Sequence, residues 1–455
     1  MTIPIIAAAI ITVIVGYLLM KRYPVHMLLL LAGLLIIAIA IVCGVHNILP
    51  KGTKSTGFIW FDLIELIHAI TKKQLVGVGL IIMACGGFAG YMSQIGASNA
   101  LVNLCAEPLR RLKSPYLVLA LAYLIGQSIN LVIVSAAGLV MLLMVAFYPI
   151  LTRVGVSKAS AASAIVLCTG IAAGPLFGTQ QLAAKIAGLD SMVYFVDWQI
   201  VAAFPAYIAC AVALYFSQKY FDTKNNDILE EAQEAKQQTP RECPRWYAIF
   251  PFVPIVLLFV FSKFGISGIK LGTTSALMLT WLVVALIELI RLRDVKKVFT
   301  DCTVFFKKMG ALFGGVVALV ICAEVFASGL RISGLINAVI SGAKGMGLDV
   351  VGMTGVLSGL VGLVTFLTGS GVGAFSAFGS LSVDIAQQMN GVLPAMLVPM
   401  HLASSVFRAM SPVAGCLIAA ALIAGVSPMS IAKRTAIPVF VTFIVIFGVN
   451  MAVNM

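Results

Sequence analysis

An arginine stands at position 408 in SSVFRAMSPVAG, within about thirty residues that are otherwise apolar. A guanidinium at bilayer depth costs at least ~2.5–3.5 kcal/mol, so it should face a cavity and have a partner. The guanidinium is a planar fork that grips a carboxylate through two parallel hydrogen bonds. Pro412 follows at once, and a proline inside a helix removes a hydrogen bond and breaks the turn. These residues point to an anion site at a helix break, with Arg408 on a substrate carboxylate beside Ser411. The alternative is an internal ion pair with Glu324 in ALVICAEVFASG. His401 shares roughly one helix face with Arg408. It titrates near neutrality when unperturbed, so it is a coupling-ion candidate with Glu324 and Asp384, although packing is the preferred reading for it. Lys185 is either a second anion contact or, in the preferred reading, a side chain that snorkels to the interface.

The elements that position these residues are membrane helices. Of 455 residues, 61% are hydrophobic and 10% charged, against about 25% charged in soluble proteins. Apolar runs of spanning length recur from end to end, predicting an all-α polytopic membrane protein. The first, IPIIAAAIITVIVGYLLM, lacks a small-residue cleavage site and reads as a span. The net charge of +13 fits basic helix flanks rather than nucleic-acid binding. The nine cysteines form no CxxC and no Cys/His cluster, which predicts neither a disulfide framework nor a metal site.

The chain reads as two repeats. FAGYMSQIGASNA resembles FASGLRISGLINA, pairing Phe88 with Phe326, Gly96 with Gly334 and Asn99 with Asn337 at an offset of 238. GPLFGTQQLAAKIAG resembles SPVAGCLIAAALIAG, pairing Pro175 with Pro412 and Gly188 with Gly425 at an offset of 237. The expected organisation is a first repeat over 1–217, a polar cytoplasmic linker over 218–245 and a second repeat over 246–455. Basic flanks swap sides between the halves: RRLK and Arg153/Lys158 in the first, Lys433/Arg434 in the second. With both termini outside, twenty Lys/Arg fall inside, Arg22, Lys113 and those of the linker among them. Eight fall outside, Lys51 and Lys270 among them, leaving Lys185 and Arg408 within the breaks. The halves are therefore expected to have opposite topology.

Each half carries a hairpin candidate with a small, polar centre, at about 115–151 (GQSINLVIVSAAG) and about 350–389 (TGSGVG). Each is followed by a broken helix, at about 159–190 with AAGPLFGTQ and at about 396–429 with RAMSPVAG. Paired Gly/Pro interruptions in inverted halves are the best sequence pointer to a transporter's binding site. The half-helix N-termini there favour an anion.

GASNAL, TGSG, RAMSP and SPMSIAKRTAIPV resemble the anaerobic four-carbon dicarboxylate uptake family of Gram-negative bacteria, the DcuC/DcuD type. The resemblance covers nearly the whole chain. It implies a secondary transporter of succinate, fumarate, malate or aspartate in the bacterial inner membrane, working as exchanger or cation symporter. The wider ion-transporter superfamily implies a homodimer with a scaffold domain and an elevator-type transport domain. It also implies substrate contacts at the hairpin tips and unwound segments. On this chain these are Asn130, Ser135, Gly138, Gly174, Thr179 and Gln180 in the first half. In the second they are Thr368, Gly369, Ser370, Gly371, Arg408 and Ser411. No cofactor is implied beyond sodium ions or protons as coupling ions. One departure stands out: Val372 follows Gly371 where the family pattern places an asparagine, removing a polar ligand.

The competing reading is a sodium/proton antiporter, or a transporter of another organic anion, on the same fold. The fixed charge of Arg408 argues against a central cation. No HExxH, GxSxG or GxxxxGK[ST] motif supports an enzyme or a nucleotide-driven pump.

Overall fold

A computed structural model describes residues 2–225 and 243–454, except Arg22, Lys51, Lys113, Ser267, Lys270 and Met346. Positions 226–242 of the expected linker, and the basic residues just named, lie outside the described residues. Among the described residues every regular element is helical, and nine helices are long and apolar enough to cross a membrane. The chain is an all-helical, multi-pass membrane protein, since only helices satisfy every backbone group within a single segment in lipid.

The first half runs α1 (Thr2–Met20), α2 (Val25–Val42), α3 (Ile59–Gln94) and α4 (Ala97–Ala106). It continues through α5 (Pro115–Asn130), α6 (Ala136–Arg153), α7 (Lys158–Leu167), α8 (Gly178–Ala187) and α9 (Ser191–Lys224). The second half runs α10 (Arg245–Val260), α11 (Thr273–Leu292), α12 (Val295–Ile332) and α13 (Leu335–Gly345). Then follow α14 (Val350–Thr368), α15 (Gly371–Phe378), α16 (Leu381–Met389), α17 (Leu393–Val406), α18 (Gly415–Ala424) and α19 (Pro428–Asn454). A π-helical turn interrupts α3 at Leu75–Gly79 and α12 at Phe313–Val317. Gly96 and Gly334 take left-handed backbone (φ 87° and 79°), as do Gly188 and Gly425 (φ 70° and 67°). A side chain is disfavoured at such φ, which explains why glycine stands at these matched positions.

The long helices pack across the halves: α2 on the second part of α12, α3 on the first part of α12, and α9 along α19. The α2–α12 contact is close because Gly33 lies against the backbone of Phe326, where a Cβ would come within 2.7 Å. Small residues at such crossings let dispersion contacts form, the main attraction available inside a bilayer.

One expectation is corrected here. The polar linker was placed from residue 218, but α9 continues as helix past that point, to Lys224. One side of its end is buried: Asp222 is 1% exposed and Gln218 fully covered. Asp222 pairs with Arg434 of α19 at 2.6 Å and accepts hydrogen bonds from Ser157 and Ser160 at 2.7 and 2.8 Å. Polarity of the local sequence reads as solvation; here a basic partner over two hundred residues away makes burial affordable.

Candidate functional site

Two helix interruptions meet near the middle of the protein. Between α7 and α8 the chain is non-helical around Ile171–Phe177. Between α17 and α18 it passes through a tight turn at Phe407–Met410 and then unwinds. Pro175 and Pro412 lie in these segments and cannot donate backbone hydrogen bonds. Each hairpin tip packs on the break of its own half. A Cβ at Gly174 would lie 2.4 Å from the Leu131 carbonyl oxygen, at the α5–α6 turn. A Cβ at Gly369 would lie 2.9 Å from the Ala414 backbone, and Gly369 also takes left-handed φ of 72°. Only glycine fits either contact.

A cavity of about 130 Å³ lies between these parts and α3 and α12. Its polar lining comprises Thr179, Ser404, Ser405 and Arg408; its apolar wall includes Ile82, Cys85, Val134, Leu176, Phe177, Leu312, Val316 and Val372. At roughly 30 Å³ per water, the space holds a few waters or one small organic anion.

Arg408 is the cation of this cavity. One Nη2–H donates to the Thr169 carbonyl at 2.8 Å, tying the second break to the first. Its Nε is buried with no hydrogen-bond partner. Among the described residues no carboxylate lies within ion-pairing distance of it. The expected alternative, a pair with Glu324, is therefore overturned. Glu324 lies 3.0 Å from Nη1 of Arg331, seven residues on along α12, and Asp384 of α16 lies 3.0 Å from Nε of the same arginine. A local partner two turns along the same helix outcompetes a distant one.

Thr179 opens the other side. It is 5% exposed, it lines the cavity, and no hydrogen bond occupies its hydroxyl among the described contacts. Gly178 and Thr179 begin α8, whose first turn has no side-chain cap. The leading N–H groups of a helix have no intrahelical acceptor and carry partial positive charge. By contrast Ser370 caps α15 by accepting from the Gly373 N–H at 3.2 Å, and Ser135 caps α6 by accepting from the Gly138 N–H at 3.2 Å.

Of the twelve residues expected to bind substrate, the cavity gathers Thr179, Gly371 and Arg408. Several others serve the backbone instead. The Asn130 amide donates to the Ile171 carbonyl at 3.2 Å, and Gln127 donates to the same oxygen at 2.7 Å. Gln180 donates to the Ser191 carbonyl at 2.8 Å. Ser411 donates to the Phe366 carbonyl at 2.6 Å. Thr368 donates to the Val364 carbonyl at 2.8 Å and, with Ser370, faces a separate apolar cavity beside α1 and α2. Gly138 lies in the first turn of α6, outside the cavity lining. A break frees backbone groups, and the nearest amides and hydroxyls are used to satisfy them.

The coupling-ion candidates lie elsewhere. Glu324 and Asp384 are both held by Arg331, and His401 is fully buried with Nδ1 3.2 Å from the Tyr194 hydroxyl. Lys185 is exposed beside Gly77 of α3 and is not part of the cavity lining. Ser404 and Ser405 were not anticipated. Ser405 accepts from the Ala172 N–H at 3.1 Å and so links the two breaks. Their signal was a Ser-Ser pair within one turn of the arginine.

The profile of a family described as C4-dicarboxylate anaerobic carrier matches residues 3–454. The probable anaerobic C4-dicarboxylate transporter DcuC of Vibrio cholerae is 34% identical over 449 residues, covering 98% of this chain and 97% of that protein. The anaerobic C4-dicarboxylate transporter DcuC of Escherichia coli K12 is 33% identical over 427 residues, covering 94% and 91%. These relatives are named as transporters, not enzymes. Among solved structures, that of the Alcanivorax borkumensis YdaH transporter shares the fold, with a TM-score of 0.63 at 13% identity over 93% of this chain and 98% of that one. With a profile match along almost its whole length and relatives at this identity, the chain belongs to the DcuC family of C4-dicarboxylate anaerobic carriers.

Proposed function

We propose that this protein is a secondary transporter of four-carbon dicarboxylates and that the cavity between the two breaks is its substrate site. The observation that carries the reading is Arg408: a guanidinium at membrane depth, at the cavity, with no carboxylate paired to it among the described residues. The substrate supplies the missing anion. One carboxylate takes the fork of Arg408. The other meets the uncapped start of α8 and the Thr179 hydroxyl, a neutral set of donors. The apolar wall, Val372 included, accommodates the short carbon chain between them. The names of the family relatives agree with this substrate class.

The two halves are read as inverted repeats. Support comes from the matched left-handed glycines, the matched π-helical turns and the exchange of basic flanks. Alternating access then follows from movement of the hairpins and broken helices past α2, α3, α11 and α12, an elevator motion in a homodimer of the bacterial inner membrane. Arg331, Glu324 and Asp384 together carry one net negative charge where α16 of the second hairpin meets α12. This is where we place a coupling cation.

The test is succinate uptake into proteoliposomes, comparing wild type with Arg408→Ala under sodium gradients, proton gradients and internal fumarate. Uptake in the wild type that the variant abolishes supports the reading, and its gradient dependence separates symport from exchange. Cation-driven pH changes without any dicarboxylate flux would replace it with an antiporter.

A further inference from the structure

A groove of about 790 Å³ runs along the outer face between α14 and α19. It is lined by apolar side chains, among them Leu363, Phe366, Phe407, Phe440, Phe443 and Ile444. Leu363 and Ile444 are 54% and 66% exposed, so the groove opens outward, toward lipid. Lys433 is its one charged lining residue. It is exposed, and among the described residues no carboxylate pairs with it. Its neighbour Arg434 turns inward to Asp222, so the two adjacent cations have different environments.

We infer that this groove holds one acyl chain of an anionic glycerophospholipid, with the headgroup phosphate on Lys433. The dimensions agree. From Lys433 to Ile444 the helix advances eleven residues, about 16 Å at 1.5 Å each. The hydrocarbon depth of one leaflet is ~15 Å, half of the bilayer core. A lipid whose phosphate meets Lys433 therefore ends its chain near Ile444. Lys433 lies one turn into α19, which begins at Pro428, where a phosphate layer would meet the start of a span.

The floor of the groove gives the site a consequence. Phe407 and Met410 belong to the tight turn that carries Arg408, and Pro412 follows it. Phe407 already stacks edge-on against Phe443 and Phe440, with ring centroids 5.2 and 5.7 Å apart. An acyl chain completes the packing around Phe407 and supports the break from behind, on the side opposite the substrate cavity.

The experiment uses the full-length protein in detergent, equilibrated with mixed micelles of phosphatidylglycerol and phosphatidylcholine. Retained lipid is counted by native mass spectrometry for wild type, Lys433→Arg, Lys433→Gln and Ala436→Trp, each confirmed monodisperse. Ala436 lines the groove, so tryptophan fills it without entering the core. The expected result is one phosphatidylglycerol per chain, preferred over phosphatidylcholine, in wild type and Lys433→Arg. Retention falls about fivefold in Lys433→Gln, the weight of one basic residue near an anionic headgroup, and falls in Ala436→Trp as well. Equal retention of both lipids in the wild type, or wild-type retention in Lys433→Gln, overturns the inference. So does an Ala436→Trp variant that changes oligomeric state while keeping its lipid, because the groove then meets a second copy. The readout does not depend on transport and stands or falls apart from the substrate reading.

Discussion

Replacing Arg408 with lysine keeps the charge and removes the fork. In the free protein the guanidinium makes one hydrogen bond, to the Thr169 carbonyl, and leaves Nε buried without a partner. If a substrate carboxylate occupies that unfilled edge, it receives two charge-assisted bonds, of which lysine can supply one. The lost bond is worth about 1.5–3 kcal/mol. At 1.4 kcal/mol per tenfold, the Kd for succinate rises about 10- to 100-fold. Titration calorimetry on purified protein measures this directly, without the complications of flux. A companion variant, Arg408→Met, separates substrate binding from a structural role. It forfeits the charge-assisted bond to Thr169, about 1.5–3 kcal/mol, and removes a charge costing ~2.5–3.5 kcal/mol at bilayer depth. Binding is then lost, while the ligand-free protein melts at or above the wild-type temperature. A wild-type Kd in the lysine variant, or a clearly destabilised methionine variant, would refute the reasoning.

Three further outcomes follow from the same geometry. Thr179→Val keeps the shape but deletes a cavity-lining hydroxyl that has no hydrogen-bond partner among the described residues; succinate KM should rise about two- to tenfold with normal thermal stability, the weight of one neutral hydrogen bond. Gly369→Ala places a Cβ 2.9 Å from the Ala414 backbone at left-handed φ, and ~1–2 kcal/mol of backbone strain alone should lower the melting temperature and transport together, whereas Gly448→Ala, inside α19 with open space around it, lowers neither. Asp222→Asn removes the carboxylate that holds buried Arg434 at 2.6 Å and accepts from Ser157 and Ser160 and should cost up to about 3–5 kcal/mol; chemical denaturation checks this, and a double variant with Arg434→Met should recover part of the loss.

Much of this protein was legible in its sequence. The membrane class followed from the apolar runs, because a bilayer admits few alternatives to helices. The family was legible in short motifs spread along the chain. The prolines and small residues that interrupt α7–α8 and α17–α18 could be named as breaks, since proline acts on its own turn wherever it stands. Arg408 could be singled out because an arginine among apolar residues is costly whatever its neighbours.

Tertiary structure decided what those residues do. Asn130, Gln180, Ser405 and Ser411 are polar like Thr179, yet these four spend donors on backbone carbonyls. Thr179 keeps its hydroxyl at the cavity. Glu324 was a candidate partner for Arg408, and a nearer arginine on its own helix took it. Asp222 looked like part of a solvated linker until Arg434 closed over it. Local propensity and cost are written in a residue and its immediate neighbours. Which donor meets which acceptor depends on contacts between segments more than two hundred residues apart, such as Arg408 with Thr169 and Ala172 with Ser405, and only the packed helices set those.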